Sequence, residues 1–190
     1  MIRKELCAIA GMKVPTFNSH RANGDLPFIL PLSEAEDRAG RTWSNFTIHE
    51  AARMLAARHL VDANGVTWSE AASILREPGA LCGPSGPGHR YFDRAGIFVA
   101  AVQFSNARTN AVPTLFPESK LYEGPLDRII SAAQADAEAY NEQRHAFGEQ
   151  ICVVSVVSVD LSHHYRLAHG LAKQMGIALD GEYAPDPTGD

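Results

Sequence analysis

Residues 13–22, KVPTFNSHRA, gather the residue types that read the edges of nucleic-acid bases. Asn and Arg pair with adenine and guanine edges through two hydrogen bonds at once, and short polar groups such as Thr and Ser contact either base. In a helical reading Phe17 turns inward with Met12, His20 leans to the same side, and Lys13, Thr16, Asn18, Ser19 and Arg21 face out. Each well-placed pair supplies about 1–3 kcal/mol of discrimination. Phosphate contacts are expected from Arg38, Arg41 and Arg58, with Arg53 as an alternative on the same helix as Arg58.

Other groupings carry less chemistry. His163, His164 and His169 in SHHYRLAH miss the i, i+4 spacing of paired ligands on a helix, so no metal is expected. Asp160, Ser162 and His163 follow an apolar run, where α/β active sites often lie. Neighbouring residues of a helix point apart, however, and no Gly-x-Ser-x-Gly elbow or phosphate loop accompanies them. Ser162 reads more simply as a helix N-cap. The expectation is therefore no enzymatic activity and no cofactor. In GPSGPGHR the prolines remove the N–H donors that a phosphate cradle needs, which leaves a linker.

The base-reading face requires elements to hold it. RKELCAIA (residues 3–10) has Leu6, Ile9 and Ala10 on one helical face and Gly11 as a stop. Pro15 suits the first turn of a second helix, which Asn23-Gly24 ends. LPFILPL (26–32) and RTWSNFT (41–47) read as the strands of a hairpin, with Pro27 and Pro31 confining the first to an edge. A third helix starts at Thr47, in capping-box spacing with Glu50, and carries Ile48, Ala51, Ala52, Leu55, His59 and Leu60 at helical intervals. After the Asn64-Gly65 turn, Thr67 caps a fourth helix whose apolar face is Trp68, Ala71, Ala72 and Leu75.

Beyond the Pro/Gly-rich linker at 78–90 the period changes. Residues 96–104 and 150–162 are apolar, β-branched strand candidates. Between them a helix over 126–147 carries the stripe Leu126, Ile129, Ile130, Ala133, Ala137 and Tyr140, with small residues that suit a core or a dimer interface. A last helix runs from Ser162 to about Gly176. The expected organisation is α+β: an N-terminal unit at 1–77, a small α/β module at 91–178 and a disordered tail at 179–190. With two clear strands, the module needs the segment HRYFDR or a partner chain to complete its sheet.

Composition narrows the classes. With 190 residues and 45% apolar side chains the chain can bury a core. No run approaches the ~18 apolar residues of a membrane span, and the N-terminus lacks a signal-peptide core, so a cytoplasmic protein without membrane contact is expected. Cys7, Cys82 and Cys152 are odd in number and in no C-x-x-C spacing, which argues against a disulfide framework. The net charge of −5 falls entirely after residue 77. A neutral N-terminal half means that phosphate affinity rests on a few placed cations.

The order helix, turn, helix, hairpin, helix, turn, helix over residues 2–77 resembles the winged-helix DNA-binding domain of the MerR family of transcription regulators. Gly11, Met12, Thr16 and Phe17 match the family's helix-turn-helix pattern. Arg41, Trp43 and Ser44 stand where its wing leads into the third helix, and Gly65, Thr67, Trp68 and Glu70 fit its last turn and helix. Members usually continue into a coiled-coil dimerisation helix, whereas this chain breaks at Pro78-Gly79, and the metal-binding cysteines of the metal-sensing members have no counterpart. The resemblance implies a winged helix of four helices plus a β-hairpin wing that binds double-stranded DNA. A homodimer through the C-terminal module would then set two recognition helices on an inverted repeat, with regulation by a small-molecule or protein effector. The competing expectation is a winged-helix adaptor, of phage or mobile-element type, that binds protein; the acidic second half favours it. A third is a small-molecule sensor with its pocket between the strands of the second module.

Overall fold

The computed structural model describes residues 1–29, 46–76, 96–106, 117–144 and 150–179. In chain order these form α1 (Arg3–Ile9), α2 (Val14–Ala22), α3 (Ile48–Asn64), α4 (Trp68–Arg76), β1 (Phe98–Asn106), β2 (Ser119–Gly124), α5 (Leu126–Arg144), β3 (Ile151–Asp160) and α6 (Leu161–Gln174). The protein is mixed α+β. It divides into two compact units, Met1–Ala95 with Leu161–Asp190, and Gly96–Asp160.

That division corrects the expected module at 91–178. The sheet unit begins at Gly96 and ends at Asp160, and α6 belongs with the N-terminal helices. The cause is its apolar stripe. Leu161, Tyr165, Ala168 and Ala172 recur at helical spacing and are buried, with α6 packed on α3. The helix begins at Leu161 directly after β3, so Ser162 lies buried in its first turn and not at the N-cap.

In the helical unit α3 is the hub, packed against α1, α4 and α6. Its buried residues include the expected Ile48, Ala51, Ala52 and Leu60, but also Met54, Ala56 and Ala57. A helix covered on several sides cannot keep a single apolar stripe, and alanines let its neighbours approach closely. On α6, the consecutive His164 and Tyr165 meet His59 and His49 of α3, with ring centroids 5.1 and 5.2 Å apart. Those two α3 residues lie ~15 Å apart along its axis, so α6 crosses α3 instead of running beside it. Phe17, Phe28 and Phe46 form an edge-to-face cluster, with centroids 5.7 Å apart for Phe17–Phe46 and 6.1 Å for Phe28–Phe46. Phe46 also exchanges two backbone hydrogen bonds with Met1, at 2.7 and 2.8 Å, which ties the N-terminus to the segment leading into α3.

Local signals set the helix limits. Glu50 accepts from the Thr47 N–H at the start of α3. At α4 the Thr67 Oγ1 accepts from the Glu70 N–H at 3.3 Å, while Glu70 accepts from the Thr67 N–H at 2.7 Å. The Thr67 N–H, together with the Thr67 hydroxyl that donates to the same carboxylate oxygen at 2.8 Å, holds the Glu70 carboxyl below its usual range. The expected wing strand at 26–32 is not a strand over its described residues, which bend at Pro27-Phe28. Of the expected second strand at 41–47, Phe46 and Thr47 are described and are not in a strand; the remainder of the hairpin, the linker, HRYFDR and nearly all of the tail lie outside the described residues.

The sheet unit is a three-stranded antiparallel sheet of order β2-β1-β3. Ala100 at its centre faces Tyr122 on one side and Ser158 on the other. Alternation along β1 turns Ala100, Val102 and Phe104 onto the face that α5 covers with Ile129, Ala133, Ala137 and Tyr140. Ile130, expected on that stripe, is exposed. Leu126 is half-buried. β3 carries one extra residue, Val154, between Val153 opposite Phe104 and Ser155 opposite Gln103.

The third strand, β2, escaped the sequence pattern because SKLYEG has neither an apolar run nor clean alternation. Hydrogen bonding to β1 makes it a strand, and side chains fasten it to α5. Tyr122 Oη donates to Asp136 Oδ2 at 2.6 Å and Lys120 Nζ reaches the same oxygen at 2.5 Å. The two bonds, Lys120 first, hold the Asp136 carboxyl below its usual value. Burial, reinforced by the carboxylate, pushes the Tyr122 phenol well above its usual one. At the far end Asn141 imitates a strand partner, accepting from the Ile151 N–H at 2.7 Å and donating to its carbonyl at 2.9 Å.

Candidate nucleic-acid interface

α1 and α2 are joined by a tight corner built by Gly11. The Met12 N–H returns to the Cys7 carbonyl at 2.9 Å, a reversal that puts Gly11 at φ 62°, in the left-handed region. A side chain at Gly11 would be strained there, and its Cβ would lie 2.3 Å from Arg58 Nη1. The next helix starts at Val14 with Pro15 in its first turn, where a missing N–H costs nothing.

Phe17 fixes which side of α2 faces inward, being fully buried. At 3.6 residues per turn, Thr16, Ser19, Pro15, Ala22 and Asn18 then follow one another around an exposed arc. Lys13, at the N-cap, is exposed too. Of the five expected base-reading residues, Lys13, Thr16, Asn18 and Ser19 therefore share one accessible surface. Arg21 sits at its margin, half-buried. His20 stacks on Trp68 of α4 with centroids 4.5 Å apart, and this burial pushes its pKa down, against the opposing pull of Asp25.

The polar side chains on that surface are partly engaged within the chain. Asn18 Oδ1 accepts from Arg3 Nη1 at 2.9 Å, and the Ser19 hydroxyl donates to the Pro15 carbonyl at 3.2 Å. Arg3 was not among the expected residues; it lies at the start of the other helix, where a sequence pattern gives no reason to pair it with Asn18. Residues 1–29 hold four Lys/Arg against two acids, in a chain of net charge −5. One of those acids, Glu5, accepts from the Ile2 N–H at 2.7 Å, and the other, Asp25, accepts from the Ser69 hydroxyl at 3.1 Å.

α4 clasps the segment that leaves α2. Trp68 Nε1 donates to the Asp25 carbonyl at 2.8 Å, and Arg76 donates to the carbonyls of Leu26 (2.8 Å) and Gly24. Arg58, expected on phosphate, is directed elsewhere. Its Nη1 donates to the carbonyls of Gly11 (3.1 Å) and Ala10 (3.4 Å), and its Nε to Asp62 at 3.3 Å. The guanidinium thus braces the corner between α1 and α2 against α3. Arg38 and Arg41 lie outside the described residues.

The other groupings stay apart from this surface. His164 is buried between the rings of His59 and His163, and no group of three or more His, Cys, Asp or Glu is arranged to hold a metal ion among the described residues. Burial raises the pKa of the Cys7 thiol, and Arg3 opposes that shift. Among the described residues, no helix is long and apolar enough to cross a membrane. Neither the models of known protein families nor the curated protein sequences match this chain.

Proposed function

We propose that this protein is a sequence-specific DNA-binding transcription regulator whose winged helix-turn-helix is of the MerR kind and which acts by binding, without catalysis. The observation that carries the reading is the solvent-facing arc of α2: Lys13, Thr16, Asn18 and Ser19 stand free of the core while Phe17 anchors the opposite side. A recognition helix needs this division, because base edges are read by short polar and cationic groups at close range. The local excess of cations over residues 1–29 supports the same reading despite the acidic chain. A homodimer joined through the sheet unit would engage half-sites about 34 Å apart.

The acidic balance of the chain favours one second reading, an adaptor that uses the same surface on a protein partner. The two separate in one experiment. Random duplex libraries are selected with the purified chain, and the affinity of the winners is followed from ~50 to ~200 mM salt, where a DNA complex weakens steeply. Replacing Lys13 and Asn18 together by Ala should abolish specific binding without changing the melting temperature. Selection that returns no common sequence would overturn the proposal.

A further inference from the structure

We infer that Arg3 and Asn18 work as one unit that reads guanine, an assignment that rests on the DNA-binding reading above. An asparagine alone pairs with adenine, donating from Nδ2 to N7 and accepting at Oδ1 from the N6 amino group. Here Arg3 Nη1 already donates to Oδ1 at 2.9 Å. That bond uses acceptor capacity on the oxygen and sets a full positive charge beside it, so an incoming adenine amino group meets a cation and competing donors. What the pair offers outward is donors: the two Nδ2 hydrogens of Asn18 and the N–H groups of Arg3 not bound to it. Guanine presents two acceptors on its major-groove edge, N7 and O6, and no donor. The donor array and the acceptor edge are complementary; adenine, which pairs one acceptor with one donor, is not.

The surroundings agree with this polarity. Glu5, the acid next but one to Arg3, is held on the Ile2 N–H, and the Ser19 hydroxyl hydrogen is turned back onto the Pro15 carbonyl. Asn18 and Arg3 come from the two helices of the corner, so the pair is set by the helix-turn-helix itself. Freed of Arg3, the same Asn18 would regain the adenine mode.

Selection from a random duplex library with the full chain tests the assignment on the wild type, Arg3→Met and Asn18→Ala. The wild type should choose guanine over adenine at one position of each half-site by roughly 5- to 150-fold. Arg3→Met should move that position to adenine and leave the others unchanged, and Asn18→Ala should erase the preference at that position alone. Should Arg3→Met not fold, the Asn18→Ala result decides by itself, and an unaltered guanine there overturns the assignment. A consensus that Arg3→Met leaves unchanged overturns the guanine reading while the DNA-binding proposal stands. No consensus from the wild type overturns both.

Discussion

Replacing Arg58 by Ala separates two roles that the same side chain could hold. As a brace it gives its guanidinium to the Gly11 and Ala10 carbonyls, at 3.1 and 3.4 Å, and to Asp62 at 3.3 Å. Those carbonyls lie past the end of α1, beyond reach of its in-helix N–H groups. A hydrogen bond from a charged donor is worth about 1.5–3 kcal/mol where buried, but the Arg58 side chain is 52% exposed and water screens it, which brings the whole set to about 1–2 kcal/mol. For a protein of this size that lowers the melting temperature by roughly 2–8 °C. Gly11→Ala gives an internal control. It adds left-handed strain and drives Arg58 Nη1 from its place, so its cost should shrink in an Arg58→Ala background, where only the strain remains. Thermal melts followed by circular dichroism measure all four proteins of the cycle. If Arg58→Ala melts like the wild type while the salt slope of DNA binding falls by about one phosphate, the bracing role is refuted and Arg58 is a phosphate contact.

Three further outcomes follow from the geometry. His20 has a lowered pKa in the fold, so its neutral form is the stabilising one: stability is complete above pH ~6.5 and falls as the pH drops below that value. Melting temperatures measured from pH 8 to pH 5 should therefore decline less steeply for His20→Gln than for the wild type. Asn141→Ala strips both hydrogen bonds from the buried Ile151 backbone and should destabilise the sheet unit by about 1–3 kcal/mol in urea unfolding; Asn141→Asp keeps the acceptor but sets a carboxylate oxygen against the Ile151 carbonyl, so at neutral pH it should not recover that loss. Asp136→Asn should lower the pH at which the Tyr122 phenol ionises, followed by NMR of isotope-labelled tyrosine, yet leave it above an ordinary tyrosine because burial is the first cause of the shift.

Features decided within a few residues were legible in the sequence. The Thr47–Glu50 and Thr67–Glu70 pairs, the Gly11 reversal and the burial of Phe17 each depend on neighbours in the chain, and the exposure of Lys13, Thr16, Asn18 and Ser19 follows from Phe17 by helical geometry alone. Features decided by distant partners were not legible. SKLYEG becomes β2 only because β1 offers it a hydrogen-bonding edge. The apolar stripe of α6 is plain in the sequence, but the residues it covers, on α3, lie about a hundred positions earlier. Arg58 and Arg3 carry the same lesson into the site: their partners, at Gly11 and Asn18, lie on other elements, and nothing in the local pattern distinguishes a bracing or orienting arginine from one free to meet a phosphate.

The allegiance of α6 also has a consequence for the order of events during synthesis. The sheet unit has all of its strands once Asp160 is made, before α6 exists. The helical unit begins first and closes last. Its hub, α3, is left with the face that carries His49 and His59 uncovered by α6 while the stretch from Arg76 to Gln174 is translated, about 5–20 s at ~5–20 residues per second. During that interval the corner that carries Asn18 rests on an incomplete core. A nascent chain halted before Leu161 should accordingly display a folded sheet beside a helical unit still open to proteases and chaperones.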